Sequence, residues 1–176
     1  MLRGMMDPDP RPESHHRYVD AILYAIRKHG EQRRRDGRPY ISHTLRVAEG
    51  LRTIGGITDP DVLIAGVLHD LIEDTECEWS SIEKRFGRRV ADLVVVLTGD
   101  MRLPKVERRQ EIIQRIRAAN DDAKSIRLAD RLDNLTDMQG FSDSKKRRYI
   151  EESGNILDAC RGANPALEAA LAAALE

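Results

Sequence analysis

Aromatic residues are scarce in this sequence: one Trp, four Tyr and two Phe among 176 residues. A core cannot be built on large rings, so it must come from the Leu, Ile, Val and Ala that fill most of the 40% apolar fraction. That palette suits packed helices better than sheets. The scarcity also removes the stacking platform on which single-stranded nucleic acid binds. Charge of one sign is missing too, since 29 Lys and Arg face 30 Asp and Glu for a net charge of −1. A bulk electrostatic footprint for nucleic acid is thereby excluded.

Cysteine is nearly absent. Cys77 and Cys160 stand alone, without metal-like spacing, which excludes a disulfide framework and fits a reducing compartment. No apolar run is long enough to span a membrane, and the start, "MLRGMMDPDPRPES", lacks the apolar centre of a signal peptide. Its prolines and aspartates read as a flexible lead over 1–14, followed by one domain over 15–176. The expected location is cytoplasmic, with neither nucleic acid nor membrane as partner; a homodimer is left open. A chain of 176 residues suffices for one real core.

What is present is helical periodicity. Val19, Ile22, Leu23 and Ile26 mark a first helix over 16–29. Pro39 suits the first turn of a second, which carries Ile41, Leu45, Val47, Ala48 and Leu51 and stops near Gly55-Gly56. Asp59-Pro60 is a cap followed by proline for a third over 60–73. Further helices are expected over "SIEKRFG", 88–97, 105–119, 121–138, 143–161 and 164–175. The valines of 88–97 would also suit a strand, but no partner strand is evident. The whole reads as one all-α bundle of about eight to nine helices.

Chemistry concentrates where the apolar run "DVLIAGVL" turns into "HDLIEDT". Burying unpartnered carboxylates is costly, so His69, Asp70, Glu73 and Asp74 must reach solvent or hold something positive. Two other segments match them: His43 in "PYISHTLRVAE" and Asp130 in "SIRLADRLDNL". Taken singly, His43 reads as a core histidine and Asp130 as a cap or ion-pair partner. Taken together, two histidines and two aspartates form a mixed imidazole–carboxylate set suited to Mn²⁺ or a similar divalent ion with positions open to water. Such a site serves hydrolysis. Glu73 and Asp74 would then orient water or carry protons, or else be solvated acids at a helix end. Acids there oppose the helix dipole, so a positive neighbour is expected. The run "RRRDGR" at 33–38 is the one locally basic stretch.

Four segments in order, "HGEQRRRDGRPYISH" (29–43), "VLHDLIEDT" (67–75), "FGRRVADLVVVLT" (86–98) and "IRLADRLDNL" (126–135), resemble the HD-domain hydrolases of the RelA/SpoT group. The likeness runs from about residue 15 to about 160. With "LPKVERR" (103–109) and "RRYIEES" (147–153), the chain resembles the stand-alone small alarmone hydrolases, the MESH1-like group. The resemblance implies removal of the 3′-pyrophosphate from (p)ppGpp with Mn²⁺, giving GDP or GTP. It implies His43, His69, Asp70 and Asp130 as metal ligands and Glu73 and Asp74 as catalytic acids. By the same resemblance Arg34 and Arg35 meet the nucleotide, Asn134 lies near the base, and Lys105, Arg109 and Tyr149 face the phosphates or ribose. Arginines stack on bases and grip phosphate through two bonds, which suits such roles.

Three positions depart from the family pattern: Arg35 where lysine is usual, Thr44 where proline commonly follows the metal histidine, and Thr136 where arginine often follows "NL". None touches an implied ligand or the Glu73–Asp74 pair, so reaction type is better supported than purine preference. The rivals are the same site acting on another nucleotide, such as an adenine alarmone or the 2′-phosphate of NADPH, and an inactive module that only binds alarmone.

Overall fold

The segment Pro60–Leu68 (α3) is apolar on every side, and every residue from Ile64 to Leu68 is buried. A helix with no polar face must lie inside the molecule. Its start is fixed by Asp59, whose side chain accepts from the Asp61 N–H at 2.9 Å, and by Pro60 in the first turn.

The other helices wrap α3. The computed structural model describes residues 13–176; of the expected lead, 1–12 lie outside the described residues, and Glu13 and Ser14 already belong to α1 (Glu13–His29). Helices α1, α2 (Ile41–Thr53), α6 (Arg88–Leu97) and α8 (Asp121–Leu135) pack against α3. The single turn α4 (Leu71–Asp74) follows it directly, and α5 (Trp79–Phe86) pairs with α6. Helices α7 (Lys105–Ala118) and α9 (Asp143–Ala159) lie side by side beside α8, and α10 (Pro165–Ala174) closes the other flank of α8. Among the described residues there is no strand, only an isolated bridge between Arg33 and Pro39. No helix there is long and apolar enough to cross a membrane.

The expected all-α bundle is what the chain forms, with its core of Leu, Ile, Val and Ala. Valine-rich 88–97 is helical, burying Val90, Ala91, Leu93, Val94 and Leu97 on one face. Several expected bounds shift by a few residues, among them 121–138, which ends at Leu135, and two call for a physical reason. The second helix begins after Pro39, which is drawn into the bridge with Arg33. The third does not run to 73: it stops at Leu68 and resumes at Leu71, which raises the helix count of the described residues to ten. The cause is local. His69 Nδ1 lies 2.8 Å from the Gly66 carbonyl oxygen, the group a continuing helix would offer to the Asp70 amide.

Gly66 also sets how closely α2 approaches. A Cβ there would come within 2.7 Å of Leu51 Cδ1, and Leu51 is fully buried. That close contact brings His43 on α2 to the end of α3.

Candidate metal centre and flanking cavities

Three helices deliver one side chain group each to a buried point. His43 comes from α2, His69 and Asp70 from the break after α3, and Asp130 from the middle of α8. His43 Nε2 lies 3.4 Å from Asp70 Oδ2 and 3.3 Å from Asp130 Oδ1. His69 Nε2 lies 3.1 Å and 3.6 Å from the same two oxygens. Yet both Nε2 atoms are buried without a hydrogen-bond partner. Donor atoms bound to one ion at about 2.1 Å sit roughly 3.0–3.4 Å apart, so these spacings are those of ligands round a cation. Ligand atoms of His43, His69 and Asp130 all lie within 4.8 Å of one another.

Each histidine is held so that Nε2 faces inward. His69 gives Nδ1 to the Gly66 carbonyl, and His43 meets Asp133 Oδ2 through Nδ1 at 2.6 Å. Asp133 is gripped in turn by Arg46, at 2.6 Å from Nε and 3.1 Å from the terminal nitrogen. An imidazole whose Nδ1 proton is committed this way offers Nε2 as a lone pair.

The electrostatics favour positive charge at this point, which in the absence of a cation is carried by protons on the two imidazoles. Burial presses the His43 pKa down, but the Asp130, Asp133 and Asp70 carboxylates more than reverse this and raise it to about 11. His69, also opposed by burial, is raised to about 9 by Asp70 and Asp130. Burial works against the charged forms of Asp70 and Asp130 as well, yet the two imidazoles hold both carboxyls well below the usual range. Arg127 adds to this at Asp130, donating to Oδ2 at 3.0 Å. The donor set and its orphaned nitrogens fit a divalent metal.

Glu73 and Asp74 sit on the next turn. Glu73 Oε2 accepts from the Gly99 N–H at 3.0 Å, and its carboxyl is raised above the ordinary value by burial, with the Asp70 charge adding. Asp74 is raised by burial and then by Asp70. The Tyr40 hydroxyl reaches Asp70 Oδ2 and Asp74 Oδ2, each at 2.7 Å. One phenolic proton serves both, so Tyr40 ties the metal cluster to the acid beside it. Tyr40 is itself stacked on the buried His29, ring centres 4.6 Å apart.

Several cavities adjoin the centre. One of about 550 Å³ opens on Glu73 and Asp74 beside Arg27, Lys28 and Gln32. Two others hold the residues assigned to substrate. The first of these, of about 250 Å³, is lined by Arg34, Arg35, Tyr40, Asn134, Asp137, Phe141 and Tyr149, with Arg33 at its edge. The other, of about 190 Å³, gathers Lys105, Arg108, Arg109, Arg127 and Arg131 around Glu73 and Gly99. They adjoin where the Arg131 guanidinium lies 4.7 Å from the Tyr149 ring centre. The six residues assigned to substrate by resemblance thus divide: Arg34, Arg35, Asn134 and Tyr149 line the first, Lys105 and Arg109 the second. Another cavity, about 490 Å³, lies elsewhere, between Arg88, Leu93 and Asn120, and shares no residue with this chemistry.

Asn134 joins the metal cluster to the first cavity. Its amide donates to Asp130 Oδ1 at 2.5 Å and accepts from Arg34 at 3.0 Å. The positive neighbour expected for the Glu73–Asp74 pair is present in the second cavity, where Arg127 lowers the Glu73 carboxyl against the effect of burial. Sequence reading passed over Tyr40, Asp133, Arg127, Arg131, Asp137 and Phe141. Asp133 could have been found, since it follows Asp130 by three residues on one helix face; Arg127 precedes Asp130 by the same interval, and Arg131 follows Arg127 by four.

The HD domain family model matches residues 21–161. Guanosine-3′,5′-bis(diphosphate) 3′-pyrophosphohydrolase MESH1 of Homo sapiens is 39% identical over 160 residues, 87% of this chain and 89% of that protein. The Drosophila melanogaster protein of the same name is 37% identical over 86% of this chain and 89% of its own. The much longer Aquifex aeolicus guanosine-3′,5′-bis(diphosphate) 3′-pyrophosphohydrolase is 38% identical over 77% of this chain but only 20% of its own length. Among solved structures, a metazoan orthologue of SpoT described as hydrolysing ppGpp superposes with a TM-score of 0.87 at 35% identity, covering 94% of this chain and 96% of that one. The metal-ready cluster therefore sits in a recognised frame, and the chain belongs to the HD-domain family, on the branch of its guanosine-3′,5′-bis(diphosphate) pyrophosphohydrolases.

Proposed function

We propose that this chain is a metal-dependent pyrophosphohydrolase that removes the 3′-diphosphate of (p)ppGpp, giving GDP or GTP and pyrophosphate. The reading is carried by one observation: two buried imidazole nitrogens without hydrogen-bond partners, His43 Nε2 and His69 Nε2, converging with Asp70 and Asp130. The activity for which the relatives are named, along a match that covers nearly their whole length, supports the substrate. In this reading His43, His69, Asp70 and Asp130 hold one divalent ion, and Mn²⁺ suits an imidazole–carboxylate set with positions left for water. When bound, the ion acidifies water and polarises a phosphoryl oxygen.

The chain's own groups do the rest. Glu73, anchored through one oxygen to Gly99, orients the attacking water with the other and takes its proton, for which a raised carboxyl pKa is suited. Attack at the phosphorus bonded to O3′ makes one P–O bond and breaks another. O3′ leaves as a hydroxyl, with Asp74, hydrogen-bonded to Tyr40, supplying the proton. Lys105, Arg109 and the arginines beside them offset the charge that builds on the phosphates. Arg34, Arg35, Asn134 and Tyr149 seat the nucleoside. Two free, buried cysteines suit the reducing cytoplasm, where we place the enzyme.

A nucleotide panel with Mn²⁺, read as pyrophosphate against orthophosphate, tests the reading. Pyrophosphate from ppGpp is the expected product. Preferential release of orthophosphate from NADPH would replace the substrate, and binding of ppGpp without turnover would make the chain a binding module. Asp70→Ala is expected to lose metal and activity together.

A further inference from the structure

Asp137 is a buried carboxylate that the hydrolytic chemistry does not use. It follows Asp130 and Asn134 by seven and three residues, on the turn that ends α8, where its amide still bonds the Asn134 carbonyl at 3.2 Å. The three side chains therefore descend one face from the metal cluster into the first cavity. Asp137 meets Arg34 there, with Nε 3.0 Å from Oδ2. The pair is an ion pair without hydrogen-bond alignment, because that same Nε is a buried atom lacking a hydrogen bond. Arg34 gives its aligned bond to Asn134 instead. Oδ1 of Asp137 has no partner among the described residues, so the carboxylate presents unused acceptor capacity to the cavity.

Purines differ in what they offer such a group. Guanine carries two adjacent donors, N1–H and the 2-amino group, spaced to meet both oxygens of one carboxylate. In the same register adenine presents the lone pair of N1 and the C2–H to the buried negative charge, its one donor, the 6-amino group, lying on the other side of N1. The rise from Asp130 to Asp137 is about 10 Å along a helix, comparable to the reach of a nucleoside from O3′ to the far edge of its base. Phe141, on whose ring the Arg35 guanidinium sits at 4.1 Å, supplies a flat wall.

We propose that Asp137 selects guanine over adenine in this cavity by accepting from N1–H and the 2-amino group. The proposal rests on the nucleotide reading of the site given above, and its test separates the two. Steady-state kcat/KM is measured with Mn²⁺ on guanosine 3′,5′-bis(diphosphate) and its adenosine counterpart, for wild type, Asp137→Asn and Asp137→Ala. Thermal melting checks that each variant folds. The expected result is a wild-type preference for guanine that falls by about tenfold or more in both variants, with adenine turnover held or raised in Asp137→Asn, whose amide can donate to N1. Equal turnover of the two purines by wild type would overturn the proposal. So would loss of both substrates in the same proportion, which would leave Asp137 only positioning Arg34. If wild type cleaves neither nucleotide, the functional reading falls, and calorimetric binding of the same two nucleotides decides: guanine preference lost in Asp137→Asn supports the proposal, and equal binding ends it.

Discussion

The Nδ1 atom of His43 lies 2.6 Å from Asp133, and that bond turns the opposite ring nitrogen toward Asp70 and Asp130. Asp133 touches none of the reacting groups, yet it fixes which tautomer His43 presents. Partners of this kind typically change metal affinity by 10- to 100-fold. Asp133→Asn is expected to weaken Mn²⁺ binding by about that factor, while ppGpp turnover at saturating Mn²⁺ largely recovers. A metal titration followed by calorimetry, with activity read along the same series, checks both halves.

Tyr40 offers a contrasting case, because its hydroxyl spans a cluster aspartate and an acid. Tyr40→Phe removes the hydroxyl and leaves the ring stacked on His29. Metal affinity should change little, since Asp70 keeps its two imidazole neighbours. Turnover should fall by about 10- to 100-fold, in the range of a lost proton-handling group. A fall in metal affinity as large as the fall in kcat would show that Tyr40 merely shapes the cluster.

Glu73 ties activity to pH. Its carboxyl is raised above the ordinary 4.5 by burial first and by Asp70 after that. Turnover should therefore climb as pH rises through a value above 4.5, and Glu73→Gln should lose most turnover together with that limb of the profile. Stability runs the other way. A raised carboxyl favours the folded state when neutral, so its contribution is full below 4.5 and is lost as pH rises through the folded value. Glu73→Gln, which stays neutral, should melt higher than wild type at neutral pH, with the gap closing in acid; melting curves of the metal-free proteins from pH 4 to 7 would reveal the crossover.

Gly66 gives a prediction for the scaffold. Replacing it with Ala places a methyl group 2.7 Å from Leu51 Cδ1 in a fully buried contact. Overpacking of this kind costs about 1–3 kcal/mol. Urea unfolding should show a lower midpoint at unchanged slope. Since α2 carries His43, Mn²⁺ affinity should weaken in the same variant.

Much of this was legible in the residues. Nine of the helical segments were marked by apolar spacing and by caps such as Asp59-Pro60, because helix periodicity is written locally. The break at His69–Asp70 was not, since it depends on one ring meeting one carbonyl three residues back. His43, His69, Asp70 and Asp130 stood out as residue types suited to a cation, and the fold brings them within ligand distance of one another. The division of the basic residues between two cavities was not visible, because only the packing of α7 beside α8 brings Lys105 and Arg109 to Arg127 and Arg131. Tyr40 and Asp137 stayed hidden for a related reason: each holds or faces another group, and those pairings span about 30 and about 100 positions of chain.

Asn134 stands with one end of its amide on Asp130 and the other on Arg34. Whatever shifts Arg34 to suit a different base pulls, through that single amide, on an oxygen the cation would share. Altering preference without altering speed is therefore hard in this protein. Variants chosen to accept a new nucleotide should first be screened for slower turnover of the old one.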